Sequence, residues 1–247
     1  MPKIKKVKVS KKELKHDKFV DMAVDTYKDI KKHWQKYFII LAILILVIIG
    51  INWYVSNARM KNMEASQLFF NGVQTFSEGN YDNAVTTMDN IKKRYYGTES
   101  ARKADYYIAA SNMKMNNMDI AVEQFKKFIN SGSPNEILKA NAYLHLGFIY
   151  SVKQMPDSTI YFMNQLIDKY PNSHARPDAM MRLAAAYEQS MEIDKADNIY
   201  RTVIAYYPGT LYAENADRYR KMLEGAIEVL SQQSRPVSET SVSEEVY

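Results

Sequence analysis

The chain has 247 residues, 47% of them hydrophobic, enough for a sizeable core, while 8 glycines are too few for an all-β fold rich in tight turns. It has no cysteine, which excludes disulfides, zinc–thiolate sites, a cysteine nucleophile and a thioether-linked lipid anchor. The charge is uneven: residues 1–37 carry 12 lysines against 5 acidic residues, net +7, and the remainder is net −2, so the basic pI near 9.0 belongs to one arm and is no argument for nucleic-acid binding.

In chain order the first element is that arm, residues 1–36. Phe19, Ala23, Tyr27, Ile30 and Trp34 recur at spacings of three or four, which makes one apolar helical face, with Lys and Asp on the other. The pattern suits an amphipathic helix that rests on a membrane surface, docks on a protein, or stays solvated with its lysines serving only to set topology. The next element, residues 37–56, holds the uncharged run Phe38–Val55, whose 18 residues span about 27 Å as a helix. Phe38 to Ile51 contains 12 Leu, Ile, Phe or Val, worth about −6 kcal/mol of insertion free energy. Trp34 and Tyr37 stand at one edge, Trp53 and Tyr54 at the other, the positions aromatic rings favour at a headgroup boundary. The run exceeds the length of a cleaved signal's apolar core, and Ser56-Asn57-Ala58 is a poor cleavage site. The expectation is an uncleaved signal anchor with its N-terminus in the cytoplasm, since lysines crowd the first side and only Arg59 and Lys61 stand close on the second. In a bacterium the remainder then lies in the periplasm.

Residues 62–233 repeat themselves. Tyr170-Pro171 and Tyr207-Pro208 open nearly the same phrase, and a small residue recurs at Gly72, Ala109, Gly147 and Ala184, at intervals of 37, 38 and 37. In step with it come Ala84, Ala121, Thr159 and Ala196; then Met88, Phe125, Met163 and Tyr200; then Ile91, Phe128, Leu166 and Val203. The spacing predicts helix–turn–helix units in which the small residue lets a first helix approach a second, and the large residues fill the space to the next unit. The turns fall in EGNYDNA, MNNMDIA, KQMPDST and MEIDKAD. Tyr-Pro ends each second helix, because the residue before proline is pushed out of the α region. Ser173 and Thr210 are placed to cap the segments after them, with the next regular helix starting near Arg176–Asp178. Leu211 to Gln233 reads as a terminal helix with a polar outer face, and the tail 234–247 as disordered.

This pattern resembles the tetratricopeptide repeat. Tyr143, Leu146, Gly147, Tyr150, Thr159, Met163, Leu166 and Pro171 fall on the family's positions in the third unit, and Met180, Leu183, Ala184, Tyr187, Ala196, Tyr200, Val203 and Pro208 in the fourth. The first two units depart, with Thr75 and Asn112 for the tyrosine and Tyr96 and Ser133 for the proline. The resemblance implies an all-α chain, a single transmembrane helix followed by an α-solenoid. It also implies a protein-binding groove lined from the first helix of each unit. Carried over by register, its lining is Phe69, Val73 and Phe76; Tyr106, Ala110 and Met113; Leu144 and Phe148; Met181 and Ala185. Met and aromatic side chains suit an adaptable apolar surface, and no ring of Lys and Arg falls on these positions.

No catalytic, metal or cofactor site is expected. His16, His33, His145 and His174 are scattered without metal-ligand spacing, and no phosphate loop, nucleophile elbow or dinucleotide fingerprint is present. Glu192/Asp194 and Glu244/Glu245 read as solvated charge.

A basic cytoplasmic arm, one anchor and exported tetratricopeptide repeats resemble, in order of parts from about Lys12 to Gln233, the YfgM-like ancillary subunits of the SecYEG translocon. That resemblance implies a non-enzymatic inner-membrane scaffold partnered by translocon subunits, a membrane-anchored periplasmic prolyl isomerase or chaperone, and exported chains. The alternative is a periplasmic repeat scaffold for envelope assembly or cell-division coordination. A signalling sensor is a third reading, but 37 residues cannot form its cytoplasmic output domain.

Overall fold

The computed structural model describes residues 18–132 and 135–233; the first 17 residues of the arm, Ser133, Pro134 and the tail 234–247 lie outside the described residues. Every element among those described is a helix: α1 (Lys18–Lys32), α2 (Trp34–Ser77), α3 (Tyr81–Arg94), α4 (Glu99–Lys114), α5 (Met118–Ile129), α6 (Glu136–Val152), α7 (Pro156–Lys169), α8 (Arg176–Gln189), α9 (Ile193–Tyr206) and α10 (Leu211–Gln233). They fall into two compact units, Met1–Met60 and Lys61–Tyr247, so α2 contributes to both.

In the first unit α1 carries Asp21 in its first turn and Lys31 and Lys32 in its last, each charge complementing the helix dipole. It is separated from α2 at His33. There the Lys36 N–H donates to the His33 carbonyl at 2.9 Å, three residues back, and the Tyr37 N–H reaches the same carbonyl at 3.4 Å. Every large apolar side chain from Phe38 to Ile51 is exposed, which a helix in a soluble core could not be. Among the described residues α2 is the one helix long and apolar enough to cross a membrane.

The second unit is a row of helical hairpins: the end of α2 with α3, α4 with α5, α6 with α7, α8 with α9, and then α10 alone. The small-to-large ladder read from the sequence is its packing code. Gly72, Ala109, Gly147 and Ala184 are all buried, as are Ala84, Ala121, Thr159 and Ala196 one helix on. Where the small residue is glycine its partner is a methionine: a Cβ at Gly147 would stand 2.1 Å from Met163 Cε, and one at Gly72 2.7 Å from Met88 Cε. Where it is alanine the partner sixteen residues on is Phe125 or Tyr200. The closer approach of the glycine pairs is filled by a long, flexible side chain.

Helix ends follow the same period. Gly79, Asn116, Gln154 and Met191 all have positive φ, 81°, 63°, 56° and 60°, and each is the second residue past the end of a first helix. The next N–H donates five residues back in every case: Asn80 to Thr75, Asn117 to Asn112, Met155 to Tyr150 and Glu192 to Tyr187, at 3.1, 2.9, 2.9 and 2.8 Å. The positive-φ residue itself donates three residues back, completing a Schellman motif at all four ends. The second helices α7 and α9 stop at Lys169 and Tyr206, one residue ahead of the Tyr-Pro pairs. Thr210 Oγ1 then accepts from the Ala213 N–H at 3.3 Å and caps α10, whereas Ser173 Oγ accepts from the Ala175 N–H at 3.2 Å within the turn and α8 begins at Arg176.

Neighbouring first helices approach each other backbone to backbone, α4 with α6 and α6 with α8, whereas among the described residues the second helices meet only through long side chains, as where Lys126 of α5 reaches the Phe162 ring of α7 at 5.9 Å. The first helices therefore line the inside of the row and the second helices its outside. The row ends for a legible reason. Lys221 of α10 falls where Gly72, Ala109, Gly147 and Ala184 stand, and it pairs with Asp217 at 2.6 Å on the outer side, while Arg220 turns toward α9 and pairs with Asp197 at 3.1 Å. That charged face cannot receive a further second helix, and it is the polar outer surface a terminal repeat needs.

Candidate functional site: the inner face of the repeats

The inner face is built from α2, α4, α6 and α8, and the residues carried over by register divide on it. Phe69 and Phe76 are half-buried, both meeting the Tyr107 ring edge-on, at 5.4 and 5.6 Å between centroids, with Val73 also half-buried between them. Leu144, Phe148 and Met181 are half-buried, and Ala185 is exposed. Tyr106 and Met113 are 7% and 8% exposed, and Ala110 is buried with them. Tyr106 is turned into the junction of α4, α5 and α6, where its ring lies 5.8 Å from Phe125 and 5.7 Å from Phe128. The register that names a position on one helix does not fix which neighbours close over it; here the contact of α4 with α6 does.

One register over lies a second stripe, with the same intervals, that the family's lining positions do not include: Phe70, Tyr107, His145, Arg182 and, on α10, Tyr219. Phe70 is 69% exposed, and Tyr107, His145 and Arg182 are partly so. Its chemistry is mixed aromatic and basic. The Arg182 guanidinium sits over the Phe148 ring at 5.1 Å and forms an ion pair with Asp178, its Nε lying 3.0 Å from Asp178 Oδ1. The Tyr106 hydroxyl and His145 Nε2 are hydrogen-bonded at 3.0 Å, tying α4 to α6. Burial pushes the His145 imidazole down to about 4, helped by the charges of Lys114 and Arg182, so it is neutral at pH 7. Burial likewise drives the Tyr106 phenol well above its ordinary range. Through Arg182, over the Phe148 ring, positive charge does reach the inner face, although the carried-over positions hold none.

The amphipathic face of the arm belongs to the first unit. Tyr27, Ile30 and Trp34 are 65%, 44% and 60% exposed, and Phe19 lies in the first turn of α1. Among the described residues no group of three His, Cys, Asp or Glu is placed to hold a metal ion.

Comparison with known proteins gives the fold a place. Residues 30–163, more than half of the chain, match the family model described as a tetratricopeptide repeat-like domain, and residues 178–210 match that of a tetratricopeptide repeat. No curated protein matches. Among solved structures, MamA 41-end from Desulfovibrio magneticus RS-1 is similar at 13% identity and a TM-score of 0.52, over 68% of this chain and 92% of that one. TPR-like repeats of a Podospora anserina kinesin light chain are similar at 14% identity and a TM-score of 0.52, over the same shares, 68% and 92%. At such identities these likenesses concern the fold.

Proposed function

The chain belongs to the tetratricopeptide repeat-like family, and from that premise we propose that it is a membrane-anchored scaffold whose repeats bind an extended protein segment along their inner face. The observation that carries this reading is the set of aromatic and apolar side chains on the first helices, Phe70 exposed and Tyr107, Phe148 and Met181 half-buried, with the Arg182 guanidinium over the Phe148 ring. Repeat arrays use such inner faces for protein interaction, and no catalytic family is among the matches.

The anchor reading rests on the apolar run of α2 and on the asymmetry of lysine about it. It puts the arm in the bacterial cytoplasm and the repeats in the periplasm. The order of parts, as in the YfgM-like family, supports service to the Sec translocon, with partners among translocon subunits, a periplasmic chaperone or prolyl isomerase, and exported chains. Crosslinking in membranes followed by co-purification tests this. Recovery of translocon subunits and envelope chaperones, lost in Phe148→Asp, is expected. Recovery of cell-division or envelope-assembly proteins in their place would replace the translocon reading.

A further inference from the structure

Nothing among the described residues covers the apolar side of α1. Met22, Tyr27 and Ile30 are exposed along it, and Trp34 continues the same side beyond His33. The opposite side carries Asp21, Asp25, Lys28, Asp29 and Lys32, with Lys31 at the margin. We propose that α1 lies along an anionic lipid surface, its Met22–Tyr27–Ile30–Trp34 face at headgroup depth, drawn there by the positive charge of the arm.

Three observations favour this occupant. The first is charge: residues 1–36 hold 12 lysines and 5 acidic residues, net +7. An anionic leaflet neutralises that charge, whereas a second copy of the chain would bring two arms of the same sign together. Lysine alone supplies the cations, and its long stem lets the ammonium reach phosphate while the methylenes stay on apolar ground. The second is continuity. The exposed face leads across His33 to Trp34, at the aromatic edge of the apolar run of α2, so it adjoins the bilayer boundary. The third is the break at His33, where the helical ladder shifts to a three-residue bond between Lys36 and His33. A helix that crosses a bilayer and a helix that lies on it need a corner between them, and the interrupted ladder at His33 is a place where the chain can turn. Side chains bind across it: the Tyr37 hydroxyl donates to Asp29 Oδ2 at 2.5 Å, and His33 Nδ1 lies 3.0 Å from Asp29 Oδ1.

The absence of cysteine makes a direct test clean. The full chain carrying Met22→Cys, labelled with an environment-sensitive fluorophore, is reconstituted into vesicles of zwitterionic lipid alone or with a third of phosphatidylglycerol. The expected result in the anionic vesicles is blue-shifted emission, quenching by lipids brominated near the headgroup, and about a threefold fall in quenching by aqueous iodide. These changes are expected to disappear in the same labelled chain carrying Tyr27→Glu and Ile30→Glu. Equal iodide quenching in both vesicle types would overturn the proposal. So would shielding that rises with protein-to-lipid ratio in either lipid, which would mean a second copy as the occupant, or shielding that appears only when a cytosolic protein fraction is added.

Discussion

The glycine–methionine pairs make the packing code testable at one atom. In Gly147→Ala the new Cβ would lie 2.1 Å from Met163 Cε and 3.0 Å from its Sδ. Carbon atoms in contact need roughly 3.5–4.0 Å, so the methyl end of Met163 must move by about 1.5 Å. It has little room, because Met163 and its neighbour Leu166 are fully buried. Overpacking of this kind costs about 1–3 kcal/mol, and the change from glycine to alanine inside a helix returns about 1 kcal/mol. The net expectation is a loss of about 1 kcal/mol, read as a fall of about 2–4 °C in the thermal midpoint of the full chain in detergent, monitored by circular dichroism. Gly72→Ala, with its nearest contact at 2.7 Å to Met88 Cε, is expected to be closer to neutral. The discriminating measurement is the double variant Gly147→Ala/Met163→Leu. Leucine has no Cε to collide with, so in that background the alanine is expected to stabilise. If Gly147→Ala raised the midpoint by the same amount whether position 163 held methionine or leucine, the close approach of α6 to α7 would not be what keeps glycine there.

Further outcomes rest on the turns and on the buried imidazole. Gln154 and Met191 occupy left-handed positions that cost a side-chain-bearing residue about 1–2 kcal/mol, so Gln154→Gly and Met191→Gly are each expected to stabilise by about 0.5–1 kcal/mol in urea titrations; a loss in both would mean that the side chains, not the backbone, hold those turns. His145, held near 4 in the folded chain against an ordinary 6.5, leaves the unfolded state binding more protons between those values. Stability is then full above about 6.5 and falls on acidification, by about 2 kcal/mol between pH 7 and 5. His145→Gln is expected to remove that part of the pH dependence, and an unchanged acid limb in the variant would show that the imidazole is not the group responsible.

The fold was legible because its determinants are local and periodic. A small residue, an alanine or threonine twelve further on and a large residue four beyond that recur at 37 or 38, and each sits within one hairpin, so sequence distance and spatial distance agree. The Tyr-Pro stops and the start of α8 at Arg176 were legible for the same reason. The turns gave less away: Gly79 and Asn116 are ordinary left-handed residues, but Gln154 and Met191 are not, and only the position they share with the other two identifies them. On the inner face the sequence register identified the helices, and the burial of individual residues depends on contacts between hairpins. Tyr106 and Met113 are buried by contacts between one hairpin and the next, and the Tyr106–His145 bond joins residues 39 apart, a separation that belongs to no single repeat. The stripe of Phe70, Tyr107, His145 and Arg182 could have been read from its intervals. It was hidden because its residues differ in chemistry while sharing a place.

Binding of protein on the inner face of the repeats can be read directly in the cell. A photo-crosslinking amino acid placed at Phe148 or Tyr107 on that face, and at exposed Tyr161 on the outer helix α7 as the control, tests it in intact cells. Discrete protein adducts are expected from positions 148 and 107 and none from 161. Adducts from 161 with positions 148 and 107 silent would contradict it.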